Sequence, residues 1–73
     1  MKKNEINDVA QFLFEHKITS HIDTKDKKFY NGLIIELHKT FIVLNDRILG
    51  LTPIAFSNIE TITKFREGEN EMW

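Results

Sequence analysis

The chain of 73 residues reads as a mostly β protein, an N-terminal α-helix followed by a five-stranded, strongly bent antiparallel barrel. Three observations predict this. Apolar residues between Asn4 and Lys17 recur at helical spacing, and from Ile18 onward short alternating apolar segments are separated by charged or polar turns. A glycine, Gly32, interrupts the longest of those segments. A chain of about 60 residues buries only roughly 60% of its unfolded surface. Residues 1–73 are therefore expected to form a single domain, with the helix at about 4–17, the barrel at about 18–65 and a charged tail at 66–73.

In the first segment Ile6, Val9, Ala10 and Leu13 stand at offsets of three, four and seven, which sets them on one helical stripe. Asn4 reads as the N-cap, with Asp8 toward the positive helix start and His16 and Lys17 toward the negative end. Phe12 lies off the stripe and Phe14 at its margin. Ile18 to Thr24 is β-rich and gives a short strand one, closed by the charged turn Lys25-Asp26-Lys27-Lys28. Strand two follows from Phe29 to Leu37, with Phe29, Leu33, Ile35 and Leu37 on one face and Tyr30, Gly32, Ile34 and Glu36 on the other. A glycine inside a strand marks a bulge, a sharp bend or a close backbone approach, and a very small barrel needs such bends to close.

Strand three is expected at Thr40 to Asn45, a turn at Asn45-Asp46-Arg47, strand four at Ile48 to Phe56 and strand five at Ile59 to Phe65, with Ser57-Asn58 between the last two. Pro53 cannot donate to a ladder, so strand four is an edge there or carries a bulge. The tail from Arg66 to Glu71 lacks periodicity and is expected to fray, with Trp73 able to fold back. Strands two to five carry large apolar residues on both faces: Ile34 beside Leu33 and Ile35, Ile42 and Leu44 beside Phe41 and Val43, Leu49 and Leu51 beside Ile48 and Ile54. One barrel interior and one helix do not cover both sets, so the surplus points to a neighbouring subunit, a homo-oligomer.

Composition narrows the functional classes. Without cysteine there is no disulfide, thiolate metal site or Cys nucleophile. His16 and His21 stand five apart with no further ligand nearby, so neither metal nor cofactor is expected. No Ser-His-Asp spacing, glycine-rich phosphate loop or carboxylate pair is present, which argues against an enzyme. No apolar run spans a bilayer and the N-terminus is polar, so a cytoplasmic location without membrane contact is expected. The net charge is −1, which lacks the footprint of a general DNA binder. Lys25, Lys27 and Lys28 read as a solvated turn, with a phosphate-contacting patch as the alternative.

Phe29-Tyr30-Asn31-Gly32-Leu33-Ile34, with its internal glycine, and Asn58-Ile59-Glu60-Thr61-Ile62, at the start of the last strand, resemble strands two and five of the Sm-like (Sm, LSm and Hfq) family. The resemblance covers roughly Asn4 to Phe65 and implies a small SH3-like barrel. It also implies a homo-oligomeric ring closed by strand four of one subunit pairing with strand five of the next. Single-stranded RNA is then expected at pore-facing loops after strands two and four. By position those loops are His38-Lys39-Thr40 and Phe56-Ser57-Asn58. Lys39 would meet a phosphate, His38 or Phe56 would stack on a base, and Ser57 or Asn58 would hydrogen-bond a base edge.

The loop residues differ from the family's own. His38 stands where an Asp is common, Ile42 where Sm proteins have Asn, and Ala55-Phe56-Ser57-Asn58 replaces both the Arg-Gly of Sm proteins and the Tyr-Lys-His of Hfq. Read without the resemblance, His38-Lys39-Thr40 is a polar hairpin connection and Phe41 and Phe56 are core residues. The alternative function is that of an SH3-like barrel similar to the C-terminal domain of ribosome maturation factors or to Tudor domains. Such a barrel is a protein-interaction module that takes a partner strand at an open sheet edge. A structural oligomer without nucleic-acid binding is the third reading.

Overall fold

A computed structural model describes residues 1–66, and its elements follow the expected order. Helix α1 spans Lys3–Glu15, and the strands are β1 (Ser20–Thr24), β2 (Phe29–Leu37), β3 (Phe41–Asp46), β4 (Gly50–Ala55) and β5 (Ile59–Lys64), with a 3-10 turn at Phe56–Asn58 before β5. Expectations for residues 67–73, including a fold-back of Trp73, lie outside the described residues. No described helix is long and apolar enough to cross a membrane.

The helix boundaries correct the sequence reading at both ends. Lys2, not Asn4, is the N-cap residue, and its N–H donates to Glu5 Oε1 at 3.3 Å. Asn4 lies inside the first turn. At the other end the Lys17 N–H donates to Phe14 O and the Ile18 N–H to Leu13 O, at 3.3 and 3.0 Å, the paired bonds of a Schellman motif. Lys17 takes the left-handed conformation at φ 53°, where glycine is usual, so the stop carries no glycine signal in the sequence. Ile18 and Leu13, joined by that motif, both contribute to the core.

The five strands form one antiparallel sheet in the order β4-β3-β2-β1-β5. The sheet is not closed into the expected barrel: β4 and β5 are its edges, the first of the two alternatives that Pro53 left for β4. β1 begins at Ser20 rather than Ile18, β3 runs one residue later than expected, and β4 is shorter because Arg47, Ile48 and Leu49 form a turn. Register shifts between Ile34 and Glu36 and between Asp23 and Thr24 bend the sheet. A single core takes Ile6, Ala10 and Leu13 from α1 and Ile22, Ile34, Ile42, Leu44, Ile54, Ile59 and Ile62 from all five strands. The Gly32/Ile34 face of β2 is the inner one, while Phe29, Leu33 and Ile35 are exposed. Past the register shift between Ile34 and Glu36 the faces exchange, so that, contrary to the alternation in the sequence, Leu37 packs on the core and Glu36 is exposed. Phe14 packs on the core and Phe12 is exposed, as their angular positions on the helix dictate.

Gly32 pairs with Ser20 on β1 and Asp46 on β3. A Cβ at this position would lie 2.0 Å from the Asn45 carbonyl oxygen and 2.7 Å from its carbon, so β3 approaches β2 more closely than any side chain permits. Beside it the buried Asp46 carboxylate fastens the β3–β4 turn. Oδ1 accepts the Asn31 N–H at 3.0 Å, and Oδ2 accepts the Ile48 and Leu49 N–H groups at 2.9 Å each. Burial pushes this carboxyl upward, but the three backbone donors outweigh it and hold the group below the usual aspartate range. Among the described residues, no buried side-chain nitrogen or oxygen lacks a hydrogen-bond partner.

Two stability outcomes follow from this junction. Gly32→Ala should cost about 3 kcal/mol or more, and thermal melting should show a drop above about 10 °C; a melt within a few degrees of the parent would mean that β3 can retreat. Asp46→Asn should cost about 1–2 kcal/mol at pH 7. Because the folded carboxyl titrates below its unfolded value, its contribution is present above about pH 4 and disappears as the pH falls through the folded pKa. Denaturant unfolding from pH 7 to pH 2 should therefore show the gap between parent and variant closing only at the acid end, and a pH-independent gap would rule this linkage out.

Candidate functional site

The two loops singled out in the sequence meet. At the β2–β3 connection the His38 N–H donates to Phe41 O at 2.9 Å, closing a tight hairpin around Lys39 and Thr40. The Phe56 N–H, at the start of the 3-10 turn, donates to Thr40 O at 3.0 Å and ties the two loops together. Lys39, Thr40, Phe56 and Ser57 consequently line one cleft of about 240 Å³. The first turns of α1 complete its wall with Lys3 and Asn7, which sequence reasoning left unassigned. Their spacing of four residues sets them on one face of the helix, but only the packing of α1 beside the 3-10 turn gives that face a partner.

The other two expected site residues point elsewhere. The His38 ring stacks on Phe41 at 4.4 Å with 18° between the planes, and its Nε2 lies 2.6 Å from Glu36 Oε1, so both its face and its edge are engaged. Asn58 turns to the β1–β2 turn, where its carbonyl accepts the Lys25 N–H at 2.8 Å and its Nδ2 donates to Asp26 Oδ1 at 3.5 Å. Of the two aromatics read as core residues, Phe56 packs on the core from a half-buried position, whereas Phe41 is half-buried against His38.

Chemically the cleft offers two ammonium groups, a hydroxyl from Thr40 and one from Ser57, an amide and one side of an aromatic ring. Neither Lys3 nor Lys39 makes an ion pair with a described residue. This set suits a phosphate beside a planar group. A larger cleft of about 480 Å³ lies between the end of α1 and β2, but Phe14, Leu33, Ile34 and Ile35 make it chiefly apolar. Among the described residues no group of three His, Asp or Glu side chains comes together to hold a metal.

No protein-family model and no curated protein matches the chain. Among solved structures, the chain is similar to a crystal structure of the pleiotropic translational regulator Hfq. That match has a TM-score of 0.68 at 18% identity and covers 78% of this chain and 93% of that one. At this identity the likeness speaks for the backbone and not for the loop residues, and it agrees with the helix followed by five sequential antiparallel strands. The chain has the Sm-like fold.

Proposed function

We propose that this protein forms a homo-oligomeric ring that binds single-stranded RNA through loops His38–Thr40 and Phe56–Asn58. The observation that carries the reading is the cleft in which Lys39 and Thr40 of one loop face Phe56 and Ser57 of the other on an Sm-like fold. Lys39 and Lys3 neutralise backbone phosphate, the exposed part of Phe56 accepts a stacked base, and Ser57 or Asn7 hydrogen-bonds a base edge. His38 and Asn58 contribute by holding their loops rather than by touching RNA.

Ring closure would join β4 of one subunit to β5 of the next. Ladder bonds alternate along an antiparallel pair. Phe56 N bonds to Thr40 O, so the Val43–Pro53 pair is of the non-bonded kind, and Leu51, Pro53 and Ala55 direct their backbone groups to the free edge of β4. The absent donor of Pro53 falls in the middle of that row, so the ladder between subunits has a gap there. Exposed Leu51, at 68%, gains apolar cover in such a pairing. On the β5 edge the Ile62 N–H donates to Met1 Sδ at 3.3 Å, a weak bond that a strand of a second copy would replace.

The open β4 edge with Leu51 exposed, beside the exposed Ile48 of the preceding turn, also suits the second reading, a module that takes a partner strand from another protein. Light scattering at tens of micromolar, followed by fluorescence anisotropy with short U-rich and A-rich RNAs on the same preparation, separates the two. The ring reading expects an oligomer and salt-sensitive binding; a monomer removes the ring, and absence of binding to both RNAs removes the RNA function. Changing His38, Lys39 and Thr40 together to Ala should abolish RNA binding with the circular dichroism spectrum unchanged. Phe56→Leu, which keeps an apolar group on the core, should weaken binding about tenfold, since stacking on an aromatic ring contributes roughly 1–3 kcal/mol per base.

A further inference from the structure

On the far side of Phe56 and Ser57 lies a second cleft of about 210 Å³, lined by Met1, Lys3, Ile6, Lys25, Phe56, Ser57 and Ile59. It shares Lys3, Phe56 and Ser57 with the first, so the two clefts adjoin across one aromatic ring and one hydroxyl. Resting on the RNA-binding reading above, we propose that Lys25, with Lys3 and Ser57, forms a phosphate subsite that takes the next internal phosphodiester of the same single-stranded RNA.

Of the three lysines in the β1–β2 turn, the fold selects one. Lys25 lines the cleft, whereas Lys27 and Lys28 do not. Its position is fixed by backbone bonds. The Lys25 N–H donates to Asn58 O at 2.8 Å, and the turn itself is closed by the Thr24 N–H to Lys28 O at 2.8 Å and the Lys27 N–H to Thr24 O at 3.1 Å. The Lys25 ammonium is thus carried on a pinned turn and directed beside the same 3-10 turn that builds the first cleft. The carboxylate of that turn, Asp26, is occupied by the Thr24 hydroxyl and Asn58 Nδ2, and no carboxylate of a described residue lines either cleft. Lys25 makes no ion pair with a described residue. Three lysine ammonium groups, from Lys39, Lys3 and Lys25, therefore border the two adjoining clefts from three separate parts of the chain, while the α-ammonium of Met1, which also lines the second cleft, donates to Glu60 O at 3.2 Å. None of them lies on β4 or β5, so edge pairing leaves them in place.

The test compares Lys25→Gln with Lys28→Gln, which removes the same charge from the same turn outside the cleft. The probe is a short U-rich RNA, prepared with a 5′-hydroxyl and with a 5′-phosphate, and anisotropy is read from 50 to 200 mM salt. Lys25→Gln should weaken binding several-fold and lower the slope of log K against log salt by about 0.7 for each subunit engaged. Lys28→Gln should change neither, Lys25→Arg should restore both, and the loss should be equal for the two RNAs. Equal effects of the two glutamine variants overturn the subsite, because the charge would then act only through the general field. A loss confined to the 5′-phosphorylated RNA overturns the internal phosphodiester in favour of a terminal phosphate. Binding by the parent with no change in Lys25→Gln removes this subsite alone, whereas no binding by the parent removes the RNA reading and the subsite with it.

Discussion

The Asn45 carbonyl oxygen sits 2.0 Å from where a β-carbon of residue 32 would stand, and most of the architecture depends on that approach. With no side chain at Gly32, β3 closes on β2 and Asp46 comes opposite it in the ladder. From there the Asp46 carboxylate reaches one backbone N–H of β2 and two of the β3–β4 turn. The register shifts nearby, between Ile34 and Glu36 and between Asp23 and Thr24, bring the inner face of the sheet around, so that Ile54 on one edge strand and Ile62 on the other belong to the same core. Without cysteine to staple it, a chain of this length relies on such a continuous core.

Much of this order was legible. The stripe of Ile6, Ala10 and Leu13 and the alternation around Ile34, Ile42 and Leu44 correspond directly to buried faces. The limits of β2 coincide with those read from the sequence, because a charged turn and a polar hairpin flank an apolar run that has no competing period. The helix end was misplaced for a specific reason. A lysine occupies the left-handed position of the Schellman motif, and the hydrogen bonds that stop the helix are all between backbone atoms. Ile48 and Leu49 read as strand because they are apolar, yet the backbone bonds to Asp46 hold both in the turn. A local contact to a carboxylate two and three residues earlier overrides their β-propensity.

The candidate site was legible only in outline. Loop positions followed from the strand pattern taken together with the family resemblance, and the Phe56 N–H to Thr40 O bond joins the two loops. Which loop residues face the cleft depended on contacts that spacing does not encode. Glu36 and Phe41 hold His38, and the β1–β2 turn holds Asn58. Lys3 and Asn7 belong to an element more than 30 positions away in sequence, and only the docking of α1 against the 3-10 turn brings them in. A constellation gathered from three separate segments is a property of the tertiary structure, and periodicity has no purchase on it.

Pro53 lies in the middle of the open edge strand β4. In the single chain β4 presents an outward row of backbone groups with Leu51 exposed beside it, the kind of edge on which misfolded chains stack into fibrils. A proline in the centre of that row removes the donor that an indiscriminate partner strand would need for a continuous cross-β ladder. The imide nitrogen thus interrupts the row of donors along this edge, a device by which sheet proteins discourage edge-to-edge stacking.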